Sequence, residues 1–489
     1  MRSGKYILLG ITFAWTLWFV FAGFGNIQDP LYWLYKYEHL EGGWMACGTI
    51  LTGGAIVRLF GVSLLPLRLL GWVCVMTAIM LPYLCLLDRQ QRREHLHWLA
   101  LAYILMGYGA FQEFSPGTLS VLLLSLLWVT QSPIVLGLAV AARFPNILAL
   151  LVLIPLWKKR SLWNIPVAVL TAGIVYGLAY LLMSNAPIDA SMTSHEFGSM
   201  LTKLWDNGGL LIGGMMIGIA VLAIGRYESR MPHYIKPILV GLALVYYVIG
   251  TIKADQWYNI DLTYLISALC LVIALCKYRQ SSLLTGVLLL SVATLGTDTA
   301  WLKLFPAVLC LLPVAATYYE PAERRYLWIV LTVFSAVVVV RFATNSVGKC
   351  DLTKATTFSS VAPYEHIAIQ ESENQWLEQV QSDIDGDTTI LALGQRMHLI
   401  RAVTGCKAGM YNEFWSNIFD SVYTAKYQRV IQESHPMIVC SFTPQFKTKP
   451  QYMDKQSALE KMLLNEGYEA VDRSEYNYMI YKYNVESLK

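Results

Sequence analysis

Charged side chains are scarce in this chain of 489 residues, and the scarcity decides what kind of protein it is. Asp, Glu, Lys and Arg make up 14% of the sequence, hydrophobic residues make up 56%, and the mean hydropathy is +0.46. Soluble domains carry about 25% charged residues, so this composition excludes an ordinary soluble domain and predicts a polytopic membrane protein. The net charge of +4 comes from short basic clusters between apolar runs, which argues against a nucleic-acid partner.

Several motifs are also missing. The nine cysteines show no CxxC spacing, the histidines form no zinc motif, and no glycine-rich phosphate loop or N-x-[ST] sequon occurs. We therefore expect no cysteine-bound metal, and the missing sequon favours a bacterial envelope protein. Cys350, Cys406 and Cys440 fall outside the apolar runs, so two of them could form one disulfide. The sequence does not show which two.

Apolar runs long enough to cross a bilayer alternate with basic clusters. The runs span residues 6–24, 66–87, 97–112, 163–183, 209–225, 236–252, 260–276, 282–296, 303–319 and 325–341. The clusters lie near residues 2–5, 88–95, 158–160, 226–236, 276–280 and 323–325, and the positive-inside rule places all of them in the cytoplasm. Residues 25–65, 184–206, 253–259, 297–302 and everything after 341 are then predicted to lie outside.

The stretch 96–157 must cross an even number of times, because both of its flanks are predicted to be cytoplasmic. Its third apolar run, 134–157, contains Arg143 and Pro145, and we predict two short broken helices there. The prediction is an α-helical polytopic membrane protein with about 13 crossings, a cytoplasmic N-terminus and an uncleaved first helix.

The character of the sequence changes after residue 341. Residues 388–394 and 436–442 have the pattern of short buried strands, while 419–434 and 456–466 have helical spacing. We predict a transmembrane domain over 1–342 and an extracytoplasmic α/β domain over 343–489. The second domain carries no catalytic signature, so we expect a lid or docking platform.

One polar stretch follows the first apolar run directly. It reads "GFGNIQDPLYWLYKYEHLEGGW" over residues 23–44, in the predicted first outer loop. We interpret its aromatic residues as an interfacial belt and its later charges as solvated. Asp29 differs from these, because it is a single acid at the end of the first helix.

The order of features resembles the GT-C superfamily of membrane glycosyltransferases, in particular its bacterial protein-mannosyltransferase and aminoarabinose-transferase-like branch. An acid after the first helix, in "QDPLYW", is followed by "GTILTGGAIVRLFGVSLLPLRLLGWV" (48–73), which is similar to the family's loop pattern. "FSPGTLSVLLLSLLW" (114–128) resembles the short fourth helix, and 137–157 resembles the glycine-rich fifth and sixth. The similarity covers residues 6–160 and, by helix count, most of the rest.

Two departures from the family pattern stand out. Family members often carry two adjacent acids in the first loop, whereas here Gln28 and Pro30 flank Asp29. Many carry an acid at the position of Gly117, and Glu113 is the nearest carboxylate. These departures leave open a changed metal dependence, a different substrate or an inactive relative.

The resemblance implies sugar transfer with inversion from a polyprenyl-phosphate donor to a lipid, glycan or protein acceptor at the outer face of a bacterial plasma membrane. Such a reaction needs a base at the acceptor hydroxyl, for which Asp29 is the candidate, and cations at the departing phosphate. The candidate substrate-binding residues are Arg58, Arg68, Glu113, Arg143, Lys253, Asp298 and Lys303. Asp29 with Glu113 is a candidate oxygen pair for Mg²⁺ or Mn²⁺.

Two further functions stay open. A transporter or flippase of lipid-linked sugar would show internal repeats, and none is evident. A non-catalytic scaffold of GT-C type is favoured by the missing second acid.

Overall fold

The computed structural model is mostly helical, with a small sheet near the C-terminus. It describes residues 2–23, 29–41, 44–108, 113–157, 163–183, 208–227, 230–232, 234–253, 260–276, 281–294, 300–344, 356–384, 386, 388–394, 396–408, 421–441, 460–473 and 478–484.

The helices before residue 345 follow the predicted apolar runs closely. They are α1 (Arg2–Phe21), α2 (Asp29–His39), α3 (Cys47–Phe60), α4 (Leu64–Leu86), α5 (Arg89–Tyr108), α6 (Pro116–Thr130), α7 (Pro133–Ala142), α8 (Ala149–Trp157), α9 (Asn164–Leu182), α10 (Gly208–Arg226), α11 (Ile235–Lys253), α12 (Ile260–Cys276), α13 (Ser281–Ser291), α14 (Ala300–Tyr318) and α15 (Pro321–Thr344). Short 3₁₀ turns occupy Trp44–Ala46, Phe144–Leu148 and Val292–Thr294.

The predicted break within residues 134–157 is confirmed. Helix α7 ends at Ala142, Arg143 is extended (φ −161°, ψ 115°), and the 3₁₀ turn Phe144–Leu148 leads into α8. Pro145 lies in the first turn of that 3₁₀ segment. An N–H group in the first turn has no acceptor within the helix, so proline loses no hydrogen bond there.

Apolar side chains point outward over much of the bundle, as a membrane protein requires. On α9, Leu170 is 66% exposed and Leu181 is 77% exposed. Such a surface needs hydrocarbon around it, because large apolar patches are costly in water. Helices α4 and α9 are each long and apolar enough to span a bilayer, and other described helices are shorter apolar segments. The number of crossings, the two-domain division and the orientation stay predictions.

Hydrogen bonds join neighbouring segments at both ends of the bundle. At one end, which we name the outer end, they join Thr49 Oγ1 to the Ala142 carbonyl (2.8 Å), the Leu64 amide to the Pro363 carbonyl (2.9 Å) and Arg143 Nη1 to the Ala293 carbonyl (2.6 Å). At the other, the inner end, they join Trp128 Nε1 to the Ser282 carbonyl (2.7 Å) and Arg324 to His95. Which end faces the outside stays a prediction.

Beyond residue 355 the chain forms the predicted mixture of strands and helices. A hairpin pairs β1 (Thr356–Phe358) with β2 (Ala368–Gln370), and a second sheet has the order β4–β3–β5–β7–β6. Its strands are β3 (Thr389–Gly394), β4 (Lys407–Ala408), β5 (Met437–Ser441), β6 (Tyr468–Arg473) and β7 (Tyr478–Tyr483), and its helices are α16 (Glu371–Asp383), α17 (Met397–Thr404) and α18 (Ser421–Ser434). Strand β3 runs parallel to β4 and β5, while β7 is antiparallel to both neighbours. The predicted strands at 388–394 and 436–442 are confirmed as β3 and β5.

The first loop and the C-terminal region share one hydrophobic core. Leu34 and Tyr37 of α2 belong to the same buried cluster as Tyr364, Trp376 and Leu399. The bundle has its own larger core around α4, α5, α12 and α14. The C-terminal region is therefore packed directly onto the first loop.

Of the three cysteines considered for a disulfide, Cys406 and Cys440 are buried. Cys350 lies outside the described residues.

Candidate functional site

The segment that leads to Asp29 is held at Gly23. The Gly23 amide donates to the Ala368 carbonyl of β2 (2.7 Å), and its carbonyl accepts from Arg68 Nη1 (2.9 Å). Its φ is +94°, in the left-handed region that a residue with a Cβ rarely adopts. Glycine at this position thus lets one residue bind the C-terminal region and the bundle together.

Arg68 forms a buried ion pair with Glu113. Their Nη2 and Oε1 atoms are 3.5 Å apart, and the side chains are 3% and 12% exposed. Arg68 lies in the second turn of α4, which begins after the N-cap residue Ser63. Glu113 is fixed because the next amide, that of Phe114, donates to the Leu67 carbonyl (3.0 Å). Two residues predicted separately for the site are therefore brought together.

Asp29 is the first residue of α2, and the structure describes its backbone but not its side chain. A helix start favours a negative charge, which suits an ionised carboxylate. Tyr32, Trp33 and Lys36 follow at spacings of three, four and seven, so they share a helix face with Asp29. Lys36 is 2% exposed, with Nζ 4.6 Å from the centroid of the Tyr32 ring.

The interpretation of the loop aromatics as an interfacial belt is wrong for Tyr32 and Tyr37. Both side chains are buried, and the Tyr37 hydroxyl donates to the Phe114 carbonyl (3.0 Å). Burial raises the pKa of Tyr37 well above its ordinary value. An added Cβ at Gly53 would approach the Tyr37 ring to 2.5 Å, so glycine at 53 is what admits this ring. The covering surface comes from α3 and the C-terminal region, which the local sequence cannot reveal.

Helices α2 and α17 meet in a layer of cations and aromatic rings, which we name the α2–α17 seam. The Arg401 guanidinium lies 4.3 Å from the Tyr35 ring centroid, and His398 contacts Tyr32 edge to face with centroids 5.7 Å apart. Burial raises the pKa of Tyr35 to about 12, with Arg401 opposing the shift and Glu41 adding to it. The seam ties the helix that begins with Asp29 to the C-terminal region.

Tyr364 connects the C-terminal region to the Arg68–Glu113 pair. It lies in a turn whose Pro363 carbonyl accepts from the Leu64 amide, one helical turn before Arg68. Burial raises the pKa of the Tyr364 hydroxyl, Arg68 lowers it and Glu113 raises it. Arg396 acts on the same hydroxyl, and its guanidinium lies 4.5 Å from the Trp376 ring centroid. The C-terminal region therefore brings a second arginine into this electrostatic environment.

The other predicted cations are spread along the outer end. Arg143 is buried and donates to the Ala293 carbonyl, while Arg58 is exposed in the last turn of α3. Lys253 ends α11 and Lys303 lies in α14, and neither side chain is described. Asp298 lies outside the described residues. Among the predicted side chains that the structure describes, Arg68 and Glu113 are in mutual contact.

A divalent cation on Glu113 would meet the guanidinium of Arg68. That positive charge is 3.5 Å from Oε1 and opposes a second cation on the same carboxylate. Among the residues described, no group of three His, Cys, Asp or Glu side chains is placed to hold a metal ion. Metal dependence stays a prediction, and Glu113 fits a role as the ion-pair partner of Arg68 better than a role as ligand.

Lys36, Tyr364, Arg396 and Arg401 were missed by sequence reasoning. Only Lys36 had a local signal, its helical spacing from Asp29. The other three lie more than 290 residues beyond Arg68, and nothing near them in the chain marks a contact with the bundle.

Similarity to known proteins is found among solved structures. No family model matches the chain, and no curated protein matches it. The chain is similar to the crystal structure of ArnT from Cupriavidus metallidurans bound to undecaprenyl phosphate, with 13% identity, a TM-score of 0.44 and coverage of 98% of each chain. ArnT is an aminoarabinose transferase of the GT-C type, the branch that the sequence resembles.

Proposed function

We propose that this chain is a membrane glycosyltransferase that moves a sugar from a polyprenyl-phosphate donor to an acceptor at the outer face of a bacterial plasma membrane. The observation that carries the proposal is the arrangement around Gly23. A buried arginine and the C-terminal region together hold Gly23, six residues before Asp29. Fixing the backbone close to a general base suits catalysis, because a base must be held in place before the reaction begins.

The transfer is written as a single displacement. The acceptor hydroxyl oxygen attacks the anomeric carbon, the bond from that carbon to the phosphate oxygen breaks, and the configuration inverts. The hydroxyl proton passes to Asp29, and the bonding electron pair leaves with the polyprenyl phosphate. Asp29 acts as general base in this scheme.

Charge develops on the departing phosphate, and arginine suits it because the planar guanidinium can donate two parallel hydrogen bonds. Arg68 is the nearest candidate to Gly23, and Glu113 orients it. Arg396 would reach the same region from the C-terminal side. In this scheme the C-terminal region is part of the site, and the acceptor is a lipid, a glycan or a protein.

The test is a transfer assay on the purified full chain in lipid. A panel of radiolabelled polyprenyl-phosphate sugars is offered with a crude envelope acceptor, and Asp29→Asn is compared with wild type. A lost general base lowers kcat about 10²- to 10⁴-fold. Glu38→Gln is the matched control, because Glu38 is an exposed acid of the same helix beside His39.

Three outcomes separate the functions. Transfer that is lost in Asp29→Asn and retained in Glu38→Gln supports the proposal. Equal transfer by all three proteins removes Asp29 from the chemistry. An absence of transfer from every donor, with intact folding in size-exclusion chromatography, shifts the assignment to a transporter or a scaffold.

A further inference from the structure

The hydroxyl of Tyr37 joins helix α2 to the bundle. Tyr37 is fully buried, and its hydroxyl donates to the Phe114 carbonyl at 3.0 Å. The two rings also pack together, with centroids 5.9 Å apart. A phenylalanine ring would make the same ring contacts above Gly53, so the packing alone does not explain the hydroxyl.

The acceptor of this hydrogen bond belongs to a rigid junction. The Phe114 amide donates to the Leu67 carbonyl (3.0 Å), and the preceding residue, Glu113, pairs with Arg68. Two consecutive residues of α4 thus bind two consecutive residues before α6. We name Leu67, Arg68, Glu113 and Phe114 the α4–α6 junction. Leu67, Arg68 and Phe114 are each at most 2% exposed, so the junction is a buried fixed point.

Asp29 lies between two attachments to this junction. Before Asp29, the Gly23 carbonyl accepts from Arg68 (2.9 Å). After it, Tyr37 donates to Phe114 from the same 11-residue helix that begins with Asp29. Eight residues of α-helix span about 12 Å and move nearly as one body. A displacement at Tyr37 is therefore carried to Asp29.

The other contacts of α2 are less directional. In the α2–α17 seam, Tyr32 and Tyr35 meet the C-terminal region through ring contacts with His398 and Arg401. Ring contacts persist over a range of centroid distances, whereas a hydrogen bond weakens steeply as its angle closes. The Tyr37 hydroxyl therefore fixes the place of α2 along its own axis more sharply than the seam does.

We propose that Tyr37 is a positioning residue for the general base, because its hydrogen bond to Phe114 holds helix α2, and with it Asp29, in place relative to Arg68. The inference rests on the proposed function, in which Asp29 takes the acceptor proton and Arg68 faces the departing phosphate. Tyr37 itself touches no substrate in this scheme and exchanges no proton.

The test variant is Tyr37→Phe, which keeps the buried ring and removes only the hydroxyl. The full chain in lipid is assayed for transfer with the panel of polyprenyl-phosphate sugars. A misplacement of about 1 Å costs up to roughly 100-fold in rate, so we expect kcat to fall about ten- to 100-fold. KM should change little, because the groups that bind the donor are retained. A variant that simply loosened the site would raise KM as well.

Tyr319→Phe is the matched control. Tyr319 is 2% exposed, and its hydroxyl donates to the Leu269 carbonyl of α12 at 2.9 Å. The control therefore loses the same kind of buried hydrogen bond at a place remote from α2. Both variants should show a similar fall in unfolding temperature, and only Tyr37→Phe should lower kcat. Transfer by wild type with an equal kcat in both variants would overturn the inference and leave the proposed function standing.

A second measurement does not need transfer. Amide hydrogen exchange of the full chain in detergent is followed by mass spectrometry for peptides that cover Asp29–His39. Loss of the tie to Phe114 should speed exchange there in Tyr37→Phe and not in Tyr319→Phe. Unchanged exchange in Tyr37→Phe would overturn the inference. Absence of transfer by wild type from every donor would overturn the proposed function, and the positioning role would fall with it even if exchange were faster.

Discussion

The two ends of the bundle treat charge in opposite ways. At the inner end, acids cap helix starts and arginines face outward, as at Asp88 and Arg325. At the outer end three basic side chains are buried: Lys36, Arg68 and Arg401 are each less than a tenth exposed. Burying a cation costs several kcal/mol unless it is paired or faces a cavity. Exposed arginines at the inner end thus need no explanation beyond topology, whereas the buried cations at the outer end need a functional reason.

The largest effect should come from breaking the Arg68–Glu113 pair. Arg68→Gln leaves Glu113 buried without its cation, and removing one partner of a buried pair costs about 3–5 kcal/mol. We expect the unfolding temperature in detergent to fall. Tryptophan fluorescence measures that temperature. The double variant Arg68→Gln/Glu113→Gln should recover part of the loss, because no charge is then left buried alone. If the loss in the double variant equalled the sum of the losses in Arg68→Gln and Glu113→Gln, the two side chains would not be energetically coupled.

A second outer-end effect should come from Gly23. A side chain at its φ of +94° costs about 1–2 kcal/mol, so Gly23→Val should disturb the peptide that links Arg68 to Ala368. Because this peptide leads to Asp29, kcat for transfer should fall more than KM changes.

The matched control for this substitution is Gly10→Val in α1, where an added Cβ meets nothing within 4 Å. Unchanged kcat in Gly23→Val, with the control also unchanged, would mean that the Gly23 peptide does not position Asp29.

Only part of the fold and of the candidate site could be predicted from the sequence. The helices, the break at Arg143 and the strands β3 and β5 could be predicted, because hydrophobic periodicity and proline are local signals. Arg68 and Glu113 were each predicted, but their pairing depends on how α4 meets the residues before α6. The burial of Tyr32 and Tyr37 was predicted wrongly, since His398 of α17 packs on Tyr32 and Phe114 packs on Tyr37, both from far along the chain. Sequence alone therefore located the outer end but not the C-terminal part of its site.

A smaller effect is expected at the inner end. Asp88 caps α5, and Gln91 Oε1 accepts from the Asp88 amide in return (3.0 Å), so Asp88→Ala removes a capping box. The expected loss is about 1 kcal/mol in the free energy of unfolding, with transfer unchanged. Asp88→Asn should restore most of that loss, since asparagine caps about as well as aspartate. Loss of transfer in a correctly folded Asp88→Ala variant would mean that the inner end also affects the reaction.

The smallest effect concerns pH at the α2–α17 seam. The pKa of Tyr35 is raised to about 12 in the folded chain against an ordinary value of 10, chiefly by burial. Between these values the unfolded chain has released the proton and the folded chain still holds it. The contribution of Tyr35 is therefore present below pH 10 and is lost as the pH rises from 10 toward 12. Tyr35→Phe should make the alkaline fall of the unfolding temperature shallower.

Substitution of two charged neighbours of Tyr35 separates the causes of its pKa shift. Glu41 raises the pKa of Tyr35 and Arg401 lowers it. Glu41→Gln should therefore move the Tyr35 titration to lower pH, and Arg401→Gln should move it higher. Opposite shifts would place Tyr35 between the two charges and show that the outer seam responds to its own electrostatics. Shifts in the same direction would mean that the substitutions act by loosening the seam as a whole, in which case the cation layer is structural packing, like the capping acids of the inner end.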